Sequence, residues 1–288
     1  MRDLIVFGED YGALPSSTQH LVKRLAVTRK VLWINSIGLR QPKWNKHDAM
    51  RAVNKLLRRD KSKQLHLESE PVPASITIVN LMTIPAPRSA WSRRLAVTLM
   101  ESQLKPLIKK LKLNNPIVWS SLPTASDICQ RLGKTPIVYY CGDDFGALAG
   151  VDHDTVLQHE CQLVEAADLV ITASETLRNK FPKHKTHLLS HGVDYQRFSR
   201  PVERAPDLPN RGRPIAGFYG SLSNWLDYRL LNHVIKAMPH WDFVFIGQIE
   251  LEQFPIQQAS NVFYLGPKPH AHLAVTANTG QLAYCLLS

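Results

Sequence analysis

The sequence predicts an α/β fold with a mostly parallel sheet, repeated as two units along the chain. Short runs of β-branched and aromatic residues alternate with stretches whose apolar residues recur at helical spacing, which is typical of a parallel sheet covered by helices. A proline-rich stretch without periodicity, residues 200–213, interrupts this alternation, which then restarts. The length of 288 residues also favours two domains. We therefore expect an N-terminal domain over 1–199, a linker over 200–213 and a C-terminal domain over 214–288.

Each predicted strand is a short β-branched or aromatic run bounded by turn residues. The expected strands are Leu4–Phe7, Val31–Asn35, Ile76–Val79, Ile117–Ser120, Ile137–Cys141, Leu169–Thr172, His187–Ser190, Ile215–Tyr219, Phe243–Ile246 and Val262–Leu265, with a fourth C-terminal strand at Ala283–Leu287. Few strands follow residue 214, and the chain ends on an apolar run. We therefore expect the second domain to be incomplete and the chain to be truncated.

The predicted helices follow from apolar periodicity and from N-capping residues. Ser16 or Ser17 caps the first helix, and Ser174 caps the helix after the sixth strand. In the other helices the apolar stripes are expected to face the core, and Pro106 is expected to kink or split the long one. The helices are Ser17–Val27, Ser89–Lys112 (stripe Leu95, Leu99, Leu107, Ile108, Leu111), Asp154–Ala167 (Leu157, Cys161, Val164), Ser174–Phe181 and Asp227–Met238 (Leu226, Leu230, Leu231, Val234, Met238).

Composition limits the class of protein. Lys and Arg number 35 against 24 Asp and Glu, a net charge of +11, and 44% of the residues are hydrophobic, which excludes an acidic or disordered chain. No apolar run reaches the ~18 residues of a spanning helix, and the N-terminus lacks a signal-peptide core. The four cysteines, Cys129, Cys141, Cys161 and Cys285, show no metal-binding spacing and are expected to be free thiols of a cytoplasmic protein.

The basic residues concentrate in one segment. Arg40–Lys63 contains nine Lys and Arg and two Asp, so it carries +7 of the net charge. Apolar residues at roughly helical spacing make it a basic amphipathic helix. Its polar face either is simply solvated or docks on an anionic membrane leaflet, where Trp44 and Met50 would insert. Nucleic acid is the weaker alternative and is not expected as a partner, because no recognised binding motif accompanies the charge.

Chemistry-bearing residues cluster after the predicted strands, where open α/β sheets bind ligands. Gly8 and Gly12 follow the first strand, and Gln19 and His20 follow them at the start of the first helix. This loop either approaches a ligand through its backbone amides or is a plain strand–helix turn. The spacing lacks the G-x-G-x-x-G pattern, and no Tyr-x-x-x-Lys pair is present, which argues against a nucleotide-dependent oxidoreductase or epimerase.

Two further strand ends carry polar or glycine residues. Asp143 and Asp144 follow the fifth strand, where they act as a general base, a metal site or a hydroxyl acceptor, or alternatively as an N-cap and turn pair. Gly220 and Ser221 follow the first strand of the second domain, where a following helix could point its amides at a diphosphate.

The order of several motifs resembles that of a known family. The motif H-G-V-D-x-x-x-F at 191–198 is similar to the N-G-V-D-x-x-x-F that precedes the interdomain linker of GT-B glycosyltransferases of the group-1 (GT4-like) family. G-F-Y-G-S-L-S at 217–223 resembles the donor-phosphate strand and loop of that family. F-I-G at 245–247 and N-V-F-Y-L-G at 261–266 resemble the next two strands of that family. A-A-D-L-V-I-T-A-S at 166–174 resembles the last long strand of its N-terminal domain. The motif Y-Y-C-x-D-D-F at 139–145 resembles enzymes of teichuronic-acid and exopolysaccharide assembly.

The resemblance implies two Rossmann-like domains facing a cleft and transfer of a sugar from a nucleotide-diphosphate donor to a glycan or lipid-linked acceptor in cell-surface polysaccharide synthesis. The alternative is a truncated, non-catalytic fragment that retains acceptor binding. No cofactor or metal is implied, because the nucleotide sugar is a substrate. The protein would be cytoplasmic and peripheral on the inner face of the cell membrane. The implied site residues are Asp143 and Asp144 for catalysis, Gly220, Ser221, Gly247 and Gly266 for the donor, Gly8, Gly12, Gln19 and His20 on the acceptor side, and Gly192 and Asp194 as the hinge.

Two departures from the family pattern affect the expected site. Many group-1 enzymes place a histidine after the strand that corresponds to Ile137–Cys141, but here Gly142 and Asp143 occupy that place. The catalytic histidine of the family therefore cannot be assigned to this strand end. The E-x7-E region of the family, with the basic residue that grips the donor diphosphate, would lie beyond about residue 285.

Overall fold

The computed structural model describes residues 1–13, 16–37, 71–84, 87, 89–147, 153–193, 195–200, 203–268 and 282–284. The basic segment Arg40–Lys63, Asp194 and Cys285 lie outside the described residues. The chain forms two compact units that divide between Gly192 and Val193, ahead of the expected domain end at residue 199. Each unit is an α/β structure with its own sheet.

The first unit is built on a seven-stranded parallel sheet. The strand order is β3-β2-β1-β4-β5-β6-β7. The order reverses beside β1, because β1 pairs with β2 on one side and with β4 on the other. Such a reversal opens a crevice at the carboxyl ends of the two strands, where parallel sheets bind ligands. The strands are β1 (Leu4–Phe7), β2 (Val31–Ile34), β3 (Ile76–Val79), β4 (Ile117–Ser120), β5 (Ile137–Cys141), β6 (Leu169–Thr172) and β7 (Thr186–Leu188).

In the part of the chain that the structure describes, five helices accompany this sheet, in addition to a short 3-10 turn at Pro123–Ala125. They are α1 (Ser17–Leu25), α2 (Ala90–Leu111), α3 (Ser126–Arg131), α4 (His153–Ala166) and α5 (Glu175–Arg178). Ser16 and Ser174 are N-caps, whose hydroxyls accept the otherwise unpaired amides of Gln19 and Leu177. Helix α2 is not split at Pro106, since it runs without interruption from Ala90 to Leu111. Proline has no amide to donate to the carbonyl one turn earlier, but Pro106 is exposed, so water can solvate that carbonyl.

Alternate strand residues pack into two cores, because successive strand side chains point to opposite faces of the sheet. One core contains Ile5 and Phe7, and the other contains Leu4, Val6 and the fully buried Trp33. Of the cysteines, Cys129 and Cys141 are buried free thiols and Cys161 is an exposed one.

The second unit is a four-stranded parallel sheet in the order β10-β9-β8-β11. Its elements are α6 (Tyr195–Phe198), β8 (Ile215–Tyr219), α7 (Tyr228–Ala237), β9 (Asp242–Ile246), β10 (Val262–Tyr264) and β11 (Leu282–Tyr284). Asp227 caps α7 by accepting the amide of Leu230 at 2.9 Å. Its core contains Leu222, Leu226, Ile235, Phe243 and Phe245.

The predicted inward faces of two helices are correct only in part. In α4, Val164 is buried as predicted, but Leu157 and Cys161 are exposed, and the helix also buries His159, Glu160 and Leu163. In α2, Leu107, Ile108 and Leu111 pack against the core as predicted, but Leu95 and Leu99 are 37% and 40% exposed, and the other core residues are Ala96, Val97, Met100 and Leu104. None of the helices in the described ranges is both long enough and apolar enough to cross a membrane.

Candidate functional site

The loop after β1 packs tightly on the indole of Trp33. A Cβ atom at Gly8 would lie 2.6 Å from a ring carbon of Trp33, which is fully buried and cannot move aside. The indole Nε1 donates a hydrogen bond to the Glu9 carbonyl at 3.0 Å. Glycine is therefore required at this position by close approach, and the loop is held in one place above the sheet.

Glu9 is the centre of a polar network at this edge of the first unit. Its carboxylate accepts hydrogen bonds from the Ser16 hydroxyl and from Gln19 Nε2, the latter at 3.4 Å. The amide of Gly12 donates to Gln19 Oε1 at 3.2 Å. Burial raises the pKa of Glu9, and the nearby carboxylates of Asp10 and Asp143 raise it further. The predicted residues Gly8, Gly12 and Gln19 thus come together, whereas His20 lies on the exposed side of α1.

A second polar chain lies beside this network. The Ser17 hydroxyl lies 2.6 Å from His191 Nδ1 and also contacts the Tyr140 phenol. Burial raises the pKa of Tyr140 despite the hydrogen bond with Ser17, and the Asp143 and Glu9 carboxylates add to the rise. Three elements therefore bring a hydroxyl, a phenol and an imidazole together: the first turn of α1, the end of β5 and the loop after β7.

The two adjacent aspartates after β5 have different surroundings. Asp143 is exposed, and its carboxylate is close enough to influence both Glu9 and Tyr140. Asp144 forms an ion pair with Lys180, which lowers the pKa of Asp144, and it accepts the amide of Gly146 at 3.2 Å. Asp144 therefore stabilises the turn after β5, which is the structural alternative that the sequence left open. Asp143 is the aspartate whose charge acts on the polar network.

Beneath this edge, β5 and α4 form a buried acid–phenol pair. The Tyr139 hydroxyl donates to Glu160 Oε1 at 2.5 Å. Burial raises the pKa of Glu160 and holds the pKa of Tyr139 well above its usual value. Burial also raises the pKa of the neighbouring Cys141 thiol to about 12, so this thiol is not a reactive nucleophile.

In the second unit, the three glycines predicted to bind the donor lie side by side at the carboxyl ends of β8, β9 and β10. A Cβ atom built on Gly247 would lie 1.8 Å from the carbonyl oxygen of Gly220. The Gly247 amide donates to the Gly266 carbonyl at 3.1 Å, and the Tyr264 hydroxyl donates to the Gly247 carbonyl at 2.8 Å. Gly220 and Gly247 have φ values of +152° and +146°, a conformation that only glycine adopts readily.

The Gly220 amide was expected to face the donor diphosphate, but in the structure it is used in backbone pairing. The Gly220 amide donates to the Ile246 carbonyl at 2.9 Å, and the Leu222 amide donates to Gln248 at the same distance, so pairing of the two chains continues past the strands. Helix α7 begins only at Tyr228, so its amides do not point at a ligand beside Gly220. The half-buried Ser221 lies between these paired residues.

For the predicted hinge residues, Gly192 and Asp194, the described part of the chain gives no specific contact. Gly192 is exposed, its φ lies outside the left-handed region, and a Cβ atom at this position would have no atom within 4 Å, while Asp194 lies outside the described residues. Across the described ranges, no group of three or more His, Cys, Asp or Glu side chains could hold a metal ion.

Sequence reasoning missed the side chains that complete the edge of the first unit. The predicted site residues did not include Glu9, Ser17, Tyr140 and His191, although each lies in or next to a sequence motif that contributed to the prediction. The usable signal was positional, because all four lie at or just beyond the carboxyl ends of parallel strands or in the first turn of the following helix.

Comparison with solved structures identifies the fold as that of the GT-B glycosyltransferases. Sucrose-phosphate synthase from Thermosynechococcus elongatus superposes with a TM-score of 0.63 at 14% identity, over 96% of this chain and 73% of that one. A TarM variant from S. aureus, solved with fondaparinux, α-GlcNAc-glycerol and UDP, gives a TM-score of 0.53 at 9% identity, over 96% of this chain and 80% of that one. No family model matches the chain.

One curated relative is similar in sequence. It is a protein of Bacillus subtilis (strain 168) that carries the provisional name of a teichuronic acid biosynthesis glycosyltransferase, TuaH, and it is 23% identical over 147 residues. The match covers 45% of this chain and only 37% of the length of that relative. The expected resemblance to GT-B glycosyltransferases is thus confirmed at the level of the fold.

Proposed function

We propose that this protein is a glycosyltransferase that moves a sugar from a nucleotide-diphosphate donor to a glycan or lipid-linked acceptor in cell-surface polysaccharide synthesis. The observation that carries the proposal is the contact between Gly220 and Gly247 beside Gly266. These glycines leave the carboxyl edge of the second sheet without side chains, so a bulky, anionic diphosphate can approach the backbone closely. The relative from B. subtilis and the UDP in the TarM structure support this assignment.

The acceptor would bind the first unit at the edge that carries Glu9, Asp143 and the loop from Gly8 to Gly12. Carboxylates, hydroxyls and an imidazole are the groups that hydrogen-bond the hydroxyls of a sugar. Catalysis would consist chiefly of positioning the two substrates and of stabilising the departing diphosphate. No cofactor or metal is required by this scheme.

Nucleotide binding tests the donor half. Calorimetry with UDP, ADP and GDP should show binding of at least one nucleoside diphosphate. Ser221→Asp should weaken that binding ~10-fold or more, because a carboxylate next to the glycines repels the diphosphate. Ser260→Asp places the same charge on an exposed loop residue and should leave the affinity unchanged. Equal affinities for the two variants would contradict the donor site, and no binding of any of the three nucleotides would contradict the proposed function.

We also propose that the protein docks on anionic membrane surfaces. The basic segment Arg40–Lys63 motivates this proposal, although it lies outside the described residues. Exposed apolar residues one helical turn apart on α2 support it, since Trp91, Leu95 and Leu99 are 72%, 37% and 40% exposed next to the exposed Arg94. An exposed indole beside cations is typical of an interfacial contact with lipid.

Co-sedimentation with vesicles tests the membrane proposal. The protein should pellet with phosphatidylglycerol vesicles, should not pellet with phosphatidylcholine vesicles, and should be released as salt rises. Reversing Arg51, Lys55, Arg58 and Arg59 to Glu should abolish pelleting. A control with four reversed exposed cations elsewhere, Lys134, Lys183, Arg229 and Lys236, has the same net charge and should still pellet. If both quadruple variants lose pelleting equally, net charge alone explains the binding and the membrane proposal is contradicted. If the wild type binds DNA and does not pellet with vesicles, the basic segment binds nucleic acid instead.

A further inference from the structure

Among the described residues, His191 has a hydrogen-bond partner at one ring nitrogen, Nδ1. Its Nδ1 lies 2.6 Å from the Ser17 hydroxyl, and these two residues are 174 positions apart in the chain. The residue is exposed, so Nε2, on the opposite side of the ring, is accessible. When Nδ1 donates its proton to Ser17, the neutral imidazole has Nε2 as its hydrogen-bond acceptor.

Gly142 leaves space beside this ring. A Cβ atom at Gly142 would lie 4.0 Å from His191 Cε1 and 3.4 Å from Tyr140 Cε1, so any longer side chain there would extend into the same region. The imidazole from the loop after β7 therefore reaches the end of β5, where the chain itself carries no side chain. A small hydroxyl-bearing group can approach the ring from this side.

Two of the other three proton acceptors at this edge are already engaged by donors, and the third, Asp143, is exposed beside Glu9 and Tyr140. Asp144 is engaged by Lys180 and by the Gly146 amide. Glu9 accepts hydrogen bonds from Ser16 and Gln19. A histidine exchanges protons near neutral pH, and a general base must reach the proton that it removes.

We propose that His191 binds the attacking hydroxyl of the acceptor and takes its proton, and that Ser17 is the positioning residue that fixes the ring; this inference rests on the proposed sugar transfer. The hydroxyl oxygen forms a bond to the anomeric carbon of the donor sugar. The bond between that carbon and the diphosphate oxygen breaks, and the nucleoside diphosphate leaves with the electron pair. The proton of the hydroxyl passes to Nε2, and the Nδ1 proton remains on the bond to Ser17.

Transfer assays on the full chain test this role. The probe is a panel of UDP-, ADP- and GDP-sugars with a bacterial membrane-lipid extract as acceptor, and transfer to water is followed in parallel as donor hydrolysis. His191→Gln should lower kcat for transfer ~10²-fold or more, because glutamine can bind a hydroxyl but cannot take its proton. KM for the donor and the affinity for UDP should stay within twofold. The matched control is His184→Gln, an exposed histidine in the turn before β7, which should behave as the wild type.

Ser17 variants separate positioning from structural damage. Ser17→Ala should lower kcat ~10-fold and shift the midpoint of the pH–rate profile, whereas Ser17→Thr keeps the hydroxyl and should restore both. Unchanged transfer by His191→Gln would overturn the inference while leaving the glycosyltransferase proposal intact. A wild type that binds nucleotide and transfers to no acceptor or water would overturn both.

Discussion

Gly247→Ala is the substitution whose consequence the structure specifies most closely. The new Cβ would lie 1.8 Å from the Gly220 carbonyl oxygen and 2.7 Å from its carbonyl carbon. Both of these are backbone atoms, so no side chain can rotate away. The loops after β8 and β9 would have to separate, and the pairing of Gly220 with Ile246 and of Leu222 with Gln248 depends on their contact.

Two terms set the magnitude. A residue other than glycine at φ +146° costs about 1–3 kcal/mol. Forcing an extra carbon into a packed contact adds about 1–3 kcal/mol. We therefore expect Gly247→Ala to lower the free energy of unfolding of the second unit by about 2–6 kcal/mol. Gly266→Ala, at φ +70° with nothing within 4 Å, should cost about 1–2 kcal/mol, and Gly192→Ala, with neither problem, should stay within about 0.5 kcal/mol.

Urea unfolding and hydrogen exchange measure this effect. Because two units can unfold in separate steps, the exchange rates of amides in β8 and β9 report on the second unit alone. Exchange in β1 and β4 serves as the internal control and should not change. The reasoning is refuted if Gly247→Ala is no less stable than Gly192→Ala, or if exchange accelerates equally in both units.

Three further substitutions in the first unit follow from its buried contacts. Tyr139→Phe leaves the Glu160 carboxyl without its 2.5 Å donor and should cost about 1–3 kcal/mol in urea unfolding, whereas Tyr195→Phe, at an exposed residue, should cost nothing measurable. Glu160→Gln should flatten the pH dependence of stability, because burial raises the native pKa of Glu160 above 4.5 and the native carboxyl therefore keeps its proton to a higher pH than the unfolded one. Wild-type stability should fall relative to that of the variant as pH rises above 4.5. Parallel stability profiles of the two proteins would contradict this prediction. Gly8→Ala should lower Tm through its 2.6 Å clash with Trp33, by about 1–3 kcal/mol in unfolding free energy, and an unchanged Tm would mean that the indole can shift.

The strands of both sheets follow closely from local sequence. Nine of the ten principal predicted strands coincide with observed ones to within one residue at either end. The exception is β7, predicted at His187–Ser190 and observed at Thr186–Leu188. Buried parallel strands are apolar on both faces, so their composition marks them without knowledge of their partners.

The inward faces of α2 and α4 followed from the sequence only in part. Periodicity shows that α4 is amphipathic, but its rotation depends on what it meets, and it buries His159 and Glu160 because Ser126 and Tyr139 satisfy their polar atoms. In α2 the buried residues are Ala96, Val97, Met100 and Leu104, whereas Trp91 and Leu95 are exposed.

By itself, the sequence determined the α/β class, the strand positions and the glycines and carboxylates that end the strands, because these depend on short runs of residues. Only the tertiary structure decided which of those residues act together. It placed Gly220 against Gly247, assigned Asp144 to a turn with Lys180, and brought His191 to Ser17. The physical reason is that a parallel sheet gathers the ends of strands that are distant in the chain, and no local pattern encodes which side chains then meet across that edge.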